Sequence, residues 1–263
     1  MMKRSILALL LAVSVAVVIT RVSGAASAPS GHKTTEAKHW SYAGESGPEH
    51  WSELDPSFDT CKLGHRQSPI DIPAASIEAG PLDPIRFEYK ATPLRVVDNG
   101  HTVVVSYAPG SFIRIGAMAY ELQQLHFHRP SEETVDGKTF AMVGHLVHRG
   151  KDGKLAVVAV LFDEGVANPT LASILAHVPA EEGKEAAPAG VTLDAAGLLP
   201  AAKAYFTFEG SLTTPPCSEG VTWYVLRSPS SLSAEQIARF AKRYPHNARP
   251  VQPLDGREIR ASK

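Results

Sequence analysis

The chain lacks an excess of either charge: 26 Lys and Arg stand against 27 Asp and Glu, for a formal net charge of -1. No basic run crosses its C-terminal half, so the electrostatic footprint of a nucleic-acid or anionic-membrane binder is missing. Compositional bias is missing as well. With 44% hydrophobic and 20% charged residues, the chain is neither disordered nor collagen-like and can bury a sizeable core. A membrane-length apolar stretch is absent too. The run Ile6 to Ile19 falls short of the roughly 20 residues a spanning helix needs.

That run fits another use. Lys3 and Arg4 precede it and Ser23-Gly24-Ala25-Ala26-Ser27-Ala28 follows it, the layout of a secretory signal peptide over residues 1–28. Ala26-Ser27-Ala28 supplies the cleavage pattern, with Ala25 or Ala26 as alternatives because Pro29 stiffens the chain just beyond. No cysteine lies nearby for lipid attachment. The mature protein is therefore expected to be periplasmic or secreted, with no stable membrane anchor after signal cleavage. Cysteine is scarce altogether, Cys61 and Cys217 being the only two. In an oxidising compartment an even count reads as one disulfide, two buried thiols being the other reading. Closing so long a loop contributes roughly 4 to 5 kcal/mol in the chain-entropy model. The bridge would also tie Thr213-Thr214-Pro215-Pro216, just before Cys217, to the N-terminal region.

Linkers and repeats are missing. Residues 29–38 are small and polar without an apolar period and read as a flexible lead-in. Residues 39–263 then run without a Pro/Gly/Ser break and read as one domain. Strand signals dominate it. Arg95-Val96-Val97 and Thr102 to Tyr107 flank Asp98-Asn99-Gly100-His101, a hairpin pattern. Leu155 to Phe162 is continuously apolar, as in a strand buried on both faces. Ala204 to Phe208 and Val221 to Leu226 are rich in aromatic or branched residues. Helices are few and short. Asn168 can cap one, with Pro169 in its first turn and Leu171, Ile174, Leu175 and Val178 on one face. Ser233-Ala234-Glu235-Gln236 opens another through a capping box and buries Ile237, Phe240, Ala241 and Tyr244. The expected fold is mixed α/β and β-dominated, a single domain with a large twisted, mostly antiparallel central sheet and short peripheral helices.

Within this frame Leu122-Gln123-Gln124-Leu125-His126-Phe127-His128 alternates. On a strand Gln124, His126 and His128 share one face and Leu125 and Phe127 the other. Ala141 to His148 reads as a second strand, with Val143, His145 and Val147 on one face and Met142, Leu146 and His148 on the other. Two imidazoles two residues apart can reach one ion, and three neutral imidazoles without thiol or carboxylate suit Zn2+ with a fourth position open. Strand phase turns His148 away from His145, which excludes it as a ligand. His32, His39, His50, His65, His177 and His246 read as surface or structural residues.

These residues and their surroundings resemble the alpha-class carbonic anhydrases, in particular exported bacterial members. The resemblance runs through His39-Trp40-Ser41-Tyr42, Gly47-Pro48-Glu49-His50-Trp51, Arg66-Gln67-Ser68-Pro69-Ile70-Asp71-Ile72, Asn99-Gly100-His101 and His126-Phe127-His128. It continues through Ser131-Glu132, Thr134-Val135-Asp136-Gly137, His145-Leu146-Val147-His148, Gly210 to Pro216, Val221-Thr222-Trp223 and Arg249-Pro250-Val251-Gln252-Pro253-Leu254. It implies zinc on His126, His128 and His145, and reversible hydration of carbon dioxide to bicarbonate and a proton by attack of zinc-bound hydroxide. The implied catalytic set is His101 as proton shuttle, with Glu132 and Thr213 orienting the hydroxide. Val147, Val157, Leu212, Thr213, Thr214, Val221 and Trp223 correspond to the substrate site, and Gln124 to the partner of His126. Resemblance to bacterial members also points to a homodimer. Two other readings are a noncatalytic binding domain, which would be expected to have lost a zinc histidine, and a zinc esterase using the same hydroxide.

The chain departs from the family pattern around His145. The usual carboxylate partner of that ligand should stand at 143, which is Val143; Glu133 replaces a common histidine and Phe208 a common tyrosine. The expectation is that Glu133 reaches the space vacated at Val143 and accepts the N–H of His145, with a water or a backbone carbonyl as the alternative partner.

Overall fold

The computed structural model describes residues 39–263. The signal-peptide reading of residues 1–28 and the lead-in assigned to 29–38 lie outside the described residues. One 13-stranded sheet organises the described chain. Its centre is the spatial series Met118–His128, Met142–Gly150, Leu155–Glu164, Glu219–Leu226 and Tyr205–Ser211. Neighbours in this series are antiparallel except Leu155–Glu164 and Glu219–Leu226, which pair parallel. A parallel pair needs a crossover, and the chain between these two strands carries the Pro169–His177 helix. Ala156 to Phe162 are all buried, because apolar layers cover both faces of the sheet there. One layer includes Leu125, Phe127, Leu146, Val158, Val160 and Phe240. The opposite layer includes Val143, Val157, Ala159, Leu161, Phe206, Phe208 and Trp223.

Local chemistry sets the element ends. The Asn168 side chain accepts from the N–H groups of Thr170 and Leu171, with Pro169 in the first turn of the helix. Ser233 and Gln236 form the reciprocal capping box of the Ala234–Ala241 helix. That helix buries Phe240, while Ile237 and Tyr244 are half-buried against the core. Tyr244 lies beyond its end, and its hydroxyl donates to the Asp98 carboxylate. The hairpin turn comprises Asn99–Thr102, one residue later than expected. The Asn99 carboxamide accepts from His101 N (3.0 Å) and Thr102 N (2.8 Å), holding the turn where Gly100 adopts a φ of +83°, open to glycine at no steric cost. Cys61 and Cys217 form the disulfide, packed with Trp51. Among the described residues no helix is long and apolar enough to cross a membrane.

Candidate metal centre

Strand register assembles the site. Residues directly opposite each other in a ladder share a face. His126 faces His145, which in turn faces Ala159, and one step along, Val143 faces His128. The three ligand candidates thus occupy one face of two adjacent strands, with one ligand atom from each within 4.8 Å of the others. A register irregularity between Val147 and His148 leaves Gln123 without an opposite residue. The alternation carrying the triad resumes at Gln124.

Each imidazole has one nitrogen engaged. His126 Nδ1 lies 2.8 Å from Gln124 Oε1, His128 Nδ1 lies 2.7 Å from the Asn247 carbonyl, and His145 Nε2 lies 3.2 Å from Glu133 Oε2. If these outer nitrogens donate, Nε2 of His126, Nε2 of His128 and Nδ1 of His145 remain to accept a metal. His128 Nε2 is buried without a hydrogen-bond partner, a cost that coordination would remove. The donor set therefore fits zinc. Burial, with His145 adding to it, lowers the His126 pKa to about 3; burial also holds His128 well below its ordinary value. Both stay neutral, as ligands must be. Burial acts downward on His145 too, but Glu133 and Glu132 outweigh it and raise its pKa.

Glu132 and Glu133 are both buried. Glu132 Oε1 accepts from the Arg249 amide at 2.8 Å and lies 3.5 Å from His128 Nδ1. Burial raises its pKa to about 7, against the lowering effects of His145 and the Thr213 hydroxyl. Its Oε2 has no partner at hydrogen-bonding geometry. A divalent cation nearby would favour the carboxylate. Thr213 is buried on the loop after Tyr205–Ser211. That loop is closed by Leu212 N donating to Ser218 O (3.0 Å) and Cys217 N to Thr214 O (2.8 Å).

A second row crosses the same sheet face beside the triad: Gln124, Val147, Val157, Trp223 and Phe208 stand in successive register. Val221 lies two residues before Trp223 on that face, and Leu212 packs against the same apolar layer. Trp223 sets its ring edge-on to His145 at 4.9 Å. Val147, Leu212 and Thr214 are half-buried, whereas Val157, Val221 and Trp223 are buried. His101, on the hairpin, is half-buried. Its ring stacks on Trp40 at 3.6 Å and on His39 at 4.8 Å. Burial, then His39, lowers its pKa.

His148 is buried but turned away from the triad, its Nε2 2.8 Å from the Tyr89 hydroxyl. His65 and His246 are exposed, and His50 and His177 are half-buried; His32 lies outside the described residues. Sequence reasoning assigned no role to Asn247 or to Arg249, although Arg249 opens one of the motifs that carry the resemblance. Their contacts with His128 and Glu132 span 119 and 117 positions, which no local pattern displays.

Three imidazoles on a sheet face lie close enough to hold one metal ion, with a buried carboxylate and an apolar row beside them. The family model described as eukaryotic-type carbonic anhydrase matches residues 46–263. A carbonic anhydrase of Nostoc sp. is 43% identical, covering 91% of this chain and 91% of that protein. One from Klebsiella pneumoniae is 45% identical, covering 86% of this chain and 92% of that protein. The solved alpha-carbonic anhydrase of Thermovibrio ammonificans, in complex with the inhibitor sulfanilamide, superposes with a TM-score of 0.80 at 41% identity, covering 84% of this chain and 98% of that one. The chain belongs to the alpha carbonic anhydrase family, whose reaction is the hydration of carbon dioxide.

Proposed function

We propose that this chain catalyses the reversible hydration of carbon dioxide to bicarbonate and a proton, with Zn2+ held by His126, His128 and His145. The observation that carries this reading is the convergence of three imidazoles whose outer nitrogens are engaged, leaving a buried, unpartnered His128 Nε2 among the inner ones. Zinc bound there supplies Lewis acidity, lowering the pKa of water to about 7 so that a nucleophile is available at neutral pH.

The chain's own groups do the remainder. A carboxylate can only accept, so Thr213 donates to Glu132 and turns its lone pairs toward the attacking oxygen. The Arg249 amide holds Glu132 from the other side. Val147, Val157, Leu212, Val221 and Trp223, with Thr214 at the loop, form a dry wall that receives a small apolar substrate. His101 takes up the proton released in each turnover through intervening water and passes it to buffer. Gln124 and Glu133 fix the tautomers of His126 and His145. Export, with residues 1–28 removed as a signal peptide, places the activity in the periplasm or outside the cell; the disulfide supports this.

One preparation tests the whole reading. The protein purified from its exported fraction should hydrate carbon dioxide in stopped flow, contain one zinc per chain and begin after residue 28. His128→Ala should lose zinc and activity together. Full activity with stoichiometric zinc in that variant would reject the ligand set, and an intact Met1 would reject signal cleavage.

A further inference from the structure

We propose that the Asn247 side chain positions His101, fastening the proton-carrying hairpin to the strand that bears His126 and His128; this rests on His101 being the proton carrier. Asn247 is fully buried, and its main chain and side chain serve different partners. The main-chain carbonyl accepts from His128 Nδ1 at 2.7 Å, and the main-chain N–H donates to Arg129 O at 3.0 Å. The carboxamide oxygen accepts from Arg129 N at 2.8 Å. The carboxamide nitrogen donates to Phe127 O at 3.0 Å and to His101 O at 2.9 Å. Both side-chain donors are thus used, one on the residue preceding the ligand His128 and the other on the hairpin.

The His101 carbonyl has no other hydrogen-bond partner among the described residues. Within the turn, the Asn99 carboxamide takes the N–H groups of His101 and Thr102, leaving that carbonyl to Asn247. The ring of His101 is held independently by its stack on Trp40. Two restraints therefore fix the imidazole, one on its backbone and one on its face. Proton relay through water depends on such placement, because misplacement by about 1 Å can cost roughly 100-fold in a positioned reaction. Thr102 Oγ1 also donates to Phe127 O, so the hairpin keeps one tie to the strand when the Asn247 side chain is removed.

The division within Asn247 makes the role testable, since substitution deletes the side-chain bonds and leaves the carbonyl that orients His128. Asn247→Ala is expected to load zinc to the wild-type level and to lower kcat in dilute buffer about five- to tenfold, several times more than it lowers kcat/KM. Added imidazole restores the loss. His101→Ala shows the same defect, and adding Asn247→Ala to it lowers kcat no further. In metal-free protein, amide exchange quickens at Gly100–Thr102 but not at Leu125–Phe127. Asn247→Ser, which retains a hydroxyl donor, gives the same pattern at smaller amplitude and serves where the alanine variant melts too low for kinetics. An equal fall in kcat when Asn247→Ala is added to His101→Ala overturns the proposal, as does zinc loss proportional to the defect. If His101→Ala alone leaves kcat unchanged in dilute buffer, the shuttle reading fails and this inference falls with it; zinc loading and kcat/KM would still report on the metal centre separately.

Discussion

Glu133 is fully buried with its Oε2 3.2 Å from the outer nitrogen of His145, whereas Val143, on the same strand face as that histidine, offers no acceptor. Phe208 stacks parallel to Trp223 at 6.2 Å and brings no hydroxyl to be satisfied. In the proposed metal site a carboxylate from the segment after Met118–His128 would thus stand in for one that position 143 does not supply. Such partners set ligand orientation and basicity, and their loss typically costs about 10 to 100-fold in metal affinity or activity. Glu133→Gln is therefore expected to raise the zinc dissociation constant by about tenfold, since an amide still accepts but carries no charge. Val143→Glu added to it should recover most of that loss, and the coupling in the double-mutant cycle measures the relay. Unchanged zinc affinity in Glu133→Gln would reject the role of Glu133. The strand period made this region legible, because alternation by itself places Val143, His145 and Val147 on one face. The roles of Asn247 and Arg249 were not legible. Their partners lie more than a hundred positions away, and a buried Asn or Arg carries no sequence sign of what it binds.

Adjacent elements convert local alternation into a pocket through register. The apolar block Leu155 to Phe162 was readable as a doubly buried strand, but its parallel pairing with Glu219–Leu226 was not, since pairing partners are a property of the assembled sheet. That pairing puts Val157 opposite Trp223 and so completes the apolar row beside the triad. Gly210 governs how closely this row packs. A Cβ there would collide with Ser68 Oγ and lie 2.8 Å from Trp223 Cδ1, and Trp223 Nε1 donates to Ser211 O at 3.1 Å. Gly210→Ala must displace the indole or Ser68. Overpacking of this kind costs roughly 1 to 3 kcal/mol. The expected result is a lower melting temperature together with a several-fold fall in kcat/KM at unchanged zinc content, because the wall moves and the ligands do not. A variant with wild-type melting and kinetics would show that the indole yields without consequence for the site.

At the scale of the described chain, the disulfide and the candidate metal centre are joined through buried polar side chains. The Arg249 guanidinium donates to Cys61 O (2.8 Å), Gln67 Oε1 (2.9 Å) and Ser68 O (2.7 Å), while its amide donates to Glu132. Gln67 in turn donates to Cys217 O at 3.1 Å. Both half-cystine carbonyls are thus held by side chains one or two bonds from the carboxylate that faces Thr213. Cys217 itself sits at a φ of +55°, a left-handed backbone that costs a non-glycine residue about 1 to 2 kcal/mol and that the surrounding contacts must maintain. Removing a bridge that spans 156 positions is expected to cost roughly 2 to 5 kcal/mol. For a domain of this size that is a fall in Tm of about 5 to 20 °C. Reduction, or Cys61→Ser with Cys217→Ser, should release the covalent restraint first where the loop is held by fewest other bonds. Amide exchange should therefore quicken at Thr213–Ser218 before it quickens along Met118–His128. Zinc should stay bound at 25 °C, because its three ligands stand on paired strands that the bridge does not touch. Equal melting temperatures for the oxidised and reduced proteins, with unchanged exchange in the Thr213 loop, would show that Arg249, Gln67 and the loop's own hydrogen bonds hold it without the disulfide.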